Sequence, residues 1–138
     1  MTFIAFNKAT DPTAPNDLRI NPEAVLYVEA SRADLLGQTT IHMLGQGTVV
    51  NAVTESVGTV VSSIAAALAF KDPRPGLVSA LRHYLATKPE DGASTVYIAP
   101  GNVSYVRPNV PETHEFWYIR FVDGSELRVM DPLPDGLS

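Results

Sequence analysis

A nine-residue pattern occurs twice in this chain, the second time 78 residues after the first. Ile20-Asn21-Pro22-Glu23-Ala24-Val25-Leu26-Tyr27-Val28 and Ile98-Ala99-Pro100-Gly101-Asn102-Val103-Ser104-Tyr105-Val106 share I-x-P-x-x-V-x-Y-V. The same offset, without a gap, places Ile41 on Ile119, Met43 on Phe121, Leu44 on Val122 and Val49 on Leu127. Six identities at one fixed offset, with apolar residues paired around them, point to an internal duplication. Two unrelated hairpins with ordinary strand patterning would instead match at several offsets.

Each copy reads alike. A short strand, Leu18 to Ile20 or Thr95 to Ile98, meets a turn at Pro22 or Pro100, where the missing backbone donor breaks a ladder. A second strand follows, Val25 to Ala30 or Val103 to Arg107. A polar loop and a hairpin come next: Thr40–Leu44 and Thr48–Val53 around Gly45-Gln46-Gly47, then Phe116–Val122 and Glu126–Met130 around Asp123-Gly124. Asp-Gly between β-branched and aromatic runs is a strong hairpin signal. Trp117, Ile119 and Phe121 share one parity and predict a core face, while Tyr118 and Arg120 share the wetter one.

Between the copies the apolar period changes from two to 3.6. Val57, Val60, Val61, Ile64 and Leu68 predict a helix, capped by Thr54 or Ser56, with Glu55 suited to its positive end. Asp72-Pro73-Arg74-Pro75-Gly76 ends it. Leu77, Val78, Leu81, Tyr84 and Leu85 predict a second helix, stopped at Lys88-Pro89. Phe3 to Asn7 forms a leading strand, and the Pro-rich tail from Asp131 is irregular. The expected fold class is therefore α+β: duplicated antiparallel β-sheet units related by an approximate twofold, with two helices between the copies. One domain, 1–138, holds repeat one over about 18–69, a helical connection over about 72–90, repeat two over about 95–131 and the tail.

A chain of 138 residues buries a real core without staples. With no cysteine, disulfides, thiolate metal sites and cysteine nucleophiles are excluded. Ten basic against fifteen acidic residues give a net charge of −5, and the basic residues are scattered along the sequence, which argues against nucleic-acid binding. No apolar run reaches the roughly 18 residues of a membrane span, and Met1 to Phe6 has neither the basic leader nor the length of a signal peptide. The expected location is cytoplasmic.

No motif carries specific chemistry. His42, His83 and His114 lack the i, i+4 spacing of a helical zinc site, and His42 alternates with Ile41 and Met43, so it is expected to face away from the core. Glu112-Thr113-His114-Glu115 is the one local acid–histidine cluster, read as a solvated loop rather than a metal or proton-transfer site. Gly45-Gln46-Gly47 precedes a strand rather than a helix, so it is a turn and not a phosphate cradle. No catalytic residue, metal or cofactor is expected. Trp117, Tyr118, Arg120, Tyr105 and Arg107 are the candidate interaction surface, an aromatic set with two cationic companions. A stacking platform for single strands would need more interleaved cations.

Three resemblances add expectations. Ile20-Asn21-Pro22-x-x-Val25-x-Tyr27-Val28-Glu29, then Thr40-Ile41-His42-Met43, then Val53-Thr54-Glu55-Ser56-Val57 resembles the FlbD-like modules, over Phe3 to about Leu68. That resemblance implies a small β-rich unit with a closing helix, in a flagellar or phage and mobile-element setting, and no chemistry. Val25–Ala30 looks like the first strand of LytTR DNA-binding domains, and Val122-Asp123-Gly124-Ser125-Glu126-Leu127 like their last hairpin. That family ends in a basic stretch where this chain has Met130-Asp131-Pro132. The element order of the first half is similar to Whirly-type domains, which hold single-stranded DNA on a duplicated sheet-and-helix unit.

The functional expectation is a non-enzymatic protein-binding or assembly module, phage or mobile-element encoded, with a nucleic-acid-binding regulatory domain as the alternative. The partner is a protein or a second copy. Repeat two stops where repeat one enters its helix, so the face of Trp117, Ile119 and Phe121 is left bare unless residues 77–85 cross over to it. A twofold homodimer is the expected remedy.

Overall fold

The computed structural model describes residues 3–8, 18–30, 38–46, 51–69, 76–82, 95–109 and 116–137. Ten strands and one α-helix run through them in the order β1 (Ile4–Phe6), β2 (Leu18–Ile20), β3 (Val25–Ala30), β4 (Thr39–Met43), β5 (Asn51–Val53), α1 (Val57–Ala69), β6 (Val78–Leu81), β7 (Thr95–Ile98), β8 (Val103–Pro108), β9 (Phe116–Phe121) and β10 (Glu126–Met130). They form a two-stranded sheet β1-β2, a five-stranded sheet β5-β4-β3-β7-β6 and a three-stranded sheet β10-β9-β8. All the strand pairs are antiparallel.

The expectation of two sheet units with two helices between them is wrong. Among the described residues there is one α-helix, and the sheets number three. The second helix expected from Leu77, Val78 and Leu81 is the strand β6, paired with β7 from Val78↔Ile98 to Leu81↔Thr95. Val78 and Ala80 are half-buried while Ser79 and Leu81 are exposed, a period of two rather than 3.6. Four residues fit either period, and the waiting edge of β7 decides between them. Tyr84 and Leu85 lie outside the described residues.

The 78-residue offset is written into the hydrogen bonding. In β3–β4, Val25 pairs Met43, and after a bulge Tyr27 pairs His42, Val28 pairs Ile41, Glu29 pairs Thr40 and Ala30 pairs Thr39. In β8–β9, Val103 pairs Phe121, and after the same bulge Tyr105 pairs Arg120, Val106 pairs Ile119, Arg107 pairs Tyr118 and Pro108 pairs Trp117. Each strand is entered from a 3-10 turn, Pro22–Ala24 or Pro100–Asn102, with proline in its first turn. Leu44 N–H donates to Ala24 O at 2.8 Å, and Val122 N–H to Asn102 O at 3.0 Å. The turns after β4 and β9 both place glycine at positive φ, Gly45 at 77° and Gly124 at 89°, where a side chain would be strained.

Two cores result. The first gathers Phe6, Ile20, Val25, Val28, Ile41 and Val53 under Val60 and Ile64 of α1. Ser56 caps that helix: its Oγ accepts from Thr59 N–H at 3.3 Å. Glu55 stands just before the first turn of α1. Its carboxylate accepts the Asn7 backbone N–H at 3.0 and 3.1 Å, tying the end of β1 to the helix entry. The second core gathers Val96, Ile98, Ile119, Phe121, Leu127 and Val129 with Leu26 and Tyr27, which β3 contributes from the first repeat. Among the described residues no helix covers this core as α1 covers the first. Leu26, Tyr27 and Ala80 do so, helped by Leu133 and Leu137 of the tail, which contains a 3-10 turn, Asp135–Leu137, rather than being wholly irregular. The face of Ile119 and Phe121, expected to be bare unless residues 77–85 crossed over to it, is buried within one chain, with Ala80 of that segment packed against it.

Candidate recognition surface

Alternation along the three-stranded sheet separates two faces. Ile119, Phe121, Leu127 and Val129 enter the second core, with Trp117 packed against it. The opposite parity carries Tyr105 and Arg107 on β8, Phe116, Tyr118 and Arg120 on β9, and Glu126, Arg128 and Met130 on β10. Three guanidiniums against one carboxylate give this face a local positive charge on a chain of net charge −5. The Arg107 guanidinium lies 4.1 Å above the Tyr118 ring, and that of Arg128 5.6 Å from it. Such placement holds the charge by cation–π attraction without burying it. Phe116 meets Tyr118 edge-on at 5.2 Å. Arg120 pairs with Glu126 at 3.1 Å and donates to Gly124 O, while its Nε is buried without a partner among the described residues.

The equivalent positions of the first repeat are occupied. Tyr27 is 8% exposed, whereas Tyr105 is 47% exposed. Tyr27 stacks on His42 at 4.0 Å and on Phe121 at 5.7 Å. Glu29, equivalent to Arg107, receives Arg82 Nη1 on both carboxylate oxygens, at 2.8 and 2.7 Å, and His42 Nε2 at 3.0 Å. Arg82 follows β6, so this cluster ties the β6–β7 hairpin to β3 and β4. Burial by itself would raise the Glu29 pKa. Hydrogen bonds from His42 and Arg82, with the Arg82 charge, outweigh it and hold the carboxyl below its ordinary value of 4.5. Asp123 is also lowered: slight burial opposes the shift, and bonds from the Ser125 hydroxyl, the Gly45 N–H and the Ser125 N–H produce it.

Of the five residues expected to form an interaction surface, Tyr105, Arg107, Tyr118 and Arg120 share the outer face as two cross-strand pairs. Trp117 does not join them. It has the core parity, and its Nε1 donates to Asp131 Oδ1 at 2.8 Å. Phe116, Arg128 and Met130 also belong to the face and were missed, although the alternation of β10 around Leu127 and Val129 signals the last two. The Glu29–His42–Arg82 cluster was missed as well. His42, expected to face away from the core, sits half-buried against Tyr27, and nothing local in the sequence links Arg82 to it. Glu112, His114 and Glu115 lie outside the described residues. Among the described residues no helix is long and apolar enough to cross a membrane.

Comparison with protein-family models, with curated proteins and with solved structures yields no match to this chain.

Proposed function

We propose that this chain is a non-enzymatic binding module that recognises a protein partner through the outer face of its three-stranded sheet. The observation that carries the reading is the concentration of Tyr105, Arg107, Tyr118 and Arg120 on a face whose equivalent in the first repeat is covered. Aromatic and arginine side chains dominate recognition because they offer large contact area and directional donors. A pleated sheet holds them rigidly, so little entropy is lost on binding. The Glu29 carboxylate is engaged by Arg82 on both oxygens, which suits a structural tie rather than proton transfer. The resemblance to FlbD-like modules favours a phage or mobile-element setting for such a module.

A photo-crosslinking amino acid placed at position 105 or 118 tests the reading, with position 62 on the exposed side of α1 as control. The expected result is protease-sensitive adducts from 105 and 118 and none from 62. Equal labelling from all three positions removes the reading. A nucleic-acid-binding regulatory role is the second reading, favoured by the three arginines among aromatics on this face. Nuclease-sensitive adducts from the same positions select it.

A further inference from the structure

The two repeats differ at one strand edge. β3 is paired on both sides, by β4 and by β7, with Tyr27↔Ile98, Val28↔Tyr97 and Glu29↔Val96. Its equivalent β8 is paired by β9 alone among the described residues. Leu26 O accepts from Ala99 N–H at 2.9 Å, so residues of its parity in β3 direct backbone groups toward β7. By equivalence, Ser104 and Val106 direct theirs to the edge of β8 that no described strand pairs. The side chains reverse in charge as well. The hairpin that docks on β3 brings Arg82 to Glu29, whereas β8 presents Arg107 at that position, with Arg120 in place of His42.

Resting on the proposed binding function, we infer that the partner supplies an extended acidic segment, which adds antiparallel to the edge of β8 left unpaired among the described residues and sets a carboxylate against Arg107. The first repeat shows the mode of docking and the second repeat shows the inverted charge. Backbone pairing along the edge supplies affinity, and the side chains that alternate onto the outer face supply selectivity. Tyr105, half-exposed beside that edge, offers an aromatic surface to the strand, where Tyr27 of the first repeat shares a core with Val96 and Ile98 of β7. A second copy of the chain is the poorer occupant. The strand equivalent to β7 is β2, which already pairs with β1, and the register Glu29↔Val96 carried over by 78 residues would set the apolar Leu18, not a carboxylate, against Arg107.

The test is a titration of the ¹⁵N-labelled full chain with four probes. They are a capped heptapeptide of alternating valine and glutamate, its lysine counterpart, the glutamate peptide N-methylated at alternate residues, and an oligothymidylate. The glutamate peptide is expected to shift and saturate the amides of β8, and to bind at least tenfold tighter than the lysine and N-methylated peptides. Arg107→Glu is expected to reverse the preference between glutamate and lysine, and Arg107→Lys to retain it. Equal binding of the glutamate and lysine peptides, or undiminished binding of the N-methylated one, overturns the edge inference and leaves the sheet-face reading standing. Tighter binding of the oligothymidylate than of the glutamate peptide overturns both, whereas a self-association of the chain that alone accounts for the β8 shifts overturns the edge inference.

Discussion

Gly45 and Asp123 hold the same place in the two repeats, 78 residues apart, and bond to each other: the Gly45 N–H donates to Asp123 Oδ2 at 2.9 Å. Beside this contact, Asn102 Nδ2 donates to Glu23 O at 2.7 Å and to Val25 O at 2.8 Å, so the entry turns of the two units are also joined. The repeats therefore meet at their turns as well as along β3–β7. Asp123 additionally accepts from the Ser125 N–H and hydroxyl, which tightens its own turn. Because the site is exposed, Asp123→Ala is expected to cost only about 0.5–1 kcal/mol. Asn102→Ala, which strands two carbonyls, should cost about 1–2 kcal/mol. Urea unfolding of the two variants gives the comparison, and the reverse order would show that the turn contact outweighs the asparagine.

The Glu29–Arg82 pair should be the costliest polar contact to break. Their side chains are 12% and 24% exposed. Fully buried pairs lose about 3–5 kcal/mol when one partner is removed, and the residual exposure of Arg82 reduces the expectation to about 2–3 kcal/mol. Glu29→Ala and Arg82→Ala should each show this loss, and the double variant much less than the sum. A double-mutant cycle with additive costs would mean that the pair does not hold the β6 hairpin to β3.

Acid should weaken the fold through the same carboxylate. The Glu29 pKa is lower in the folded chain than its ordinary value of 4.5. Its stabilisation is therefore complete above about pH 4.5 and is lost as pH falls through the folded value. Glu29→Gln is expected to be less stable than the parent at pH 7 and to lose less stability as pH falls from about 4.5 through the folded Glu29 value. Parallel stability–pH curves for the two proteins would assign the acid limb to other groups, Asp123 first.

Gly76 should not tolerate a side chain. A Cβ there would lie 2.6 Å from Ala65 Cβ and 3.2 Å from Ala65 Cα, so β6 enters its sheet by passing close against α1. Gly76→Ala is expected to cost about 1–3 kcal/mol by overpacking. Ala65→Gly in the same chain should restore part of that loss, less the cost of about 1 kcal/mol for glycine inside a helix. Thermal melts of the three variants decide, and a lack of any rescue would separate Gly76 from α1.

The outer face should be dispensable for folding and the inner face should not. Tyr105→Ser and Arg107→Ala are expected to change stability by under about 0.5 kcal/mol, as exposed substitutions usually do. Ile119→Ala, fully buried on the neighbouring parity, should cost about 3 kcal/mol. A large loss at Tyr105 would show that it packs rather than recognises.

Local structure within the repeats and α1 was determined largely by the sequence alone. The I-x-P-x-x-V-x-Y-V pattern marks a proline turn and a following strand in both copies, and the structure gives them the form of a 3-10 turn and a bulged strand. The parities of β9 and the apolar stripe of α1 were equally legible, because each depends on neighbours within a few residues. What the tertiary structure decided was how the pieces meet. Leu77, Val78 and Leu81 fit a helix until the edge of β7 drew them into a strand. Leu26 and Tyr27 face the second core, while the equivalent Ser104 and Tyr105 remain exposed, because β7 joins one edge of β3 and no described strand joins the equivalent edge of β8. The cluster of Glu29, His42 and Arg82 depends on the same event, since its members are 13 and 53 residues apart and meet only once the hairpin docks. Pairing across such distances is settled by which edges and charges remain available when the strands come together, and no local pattern records that.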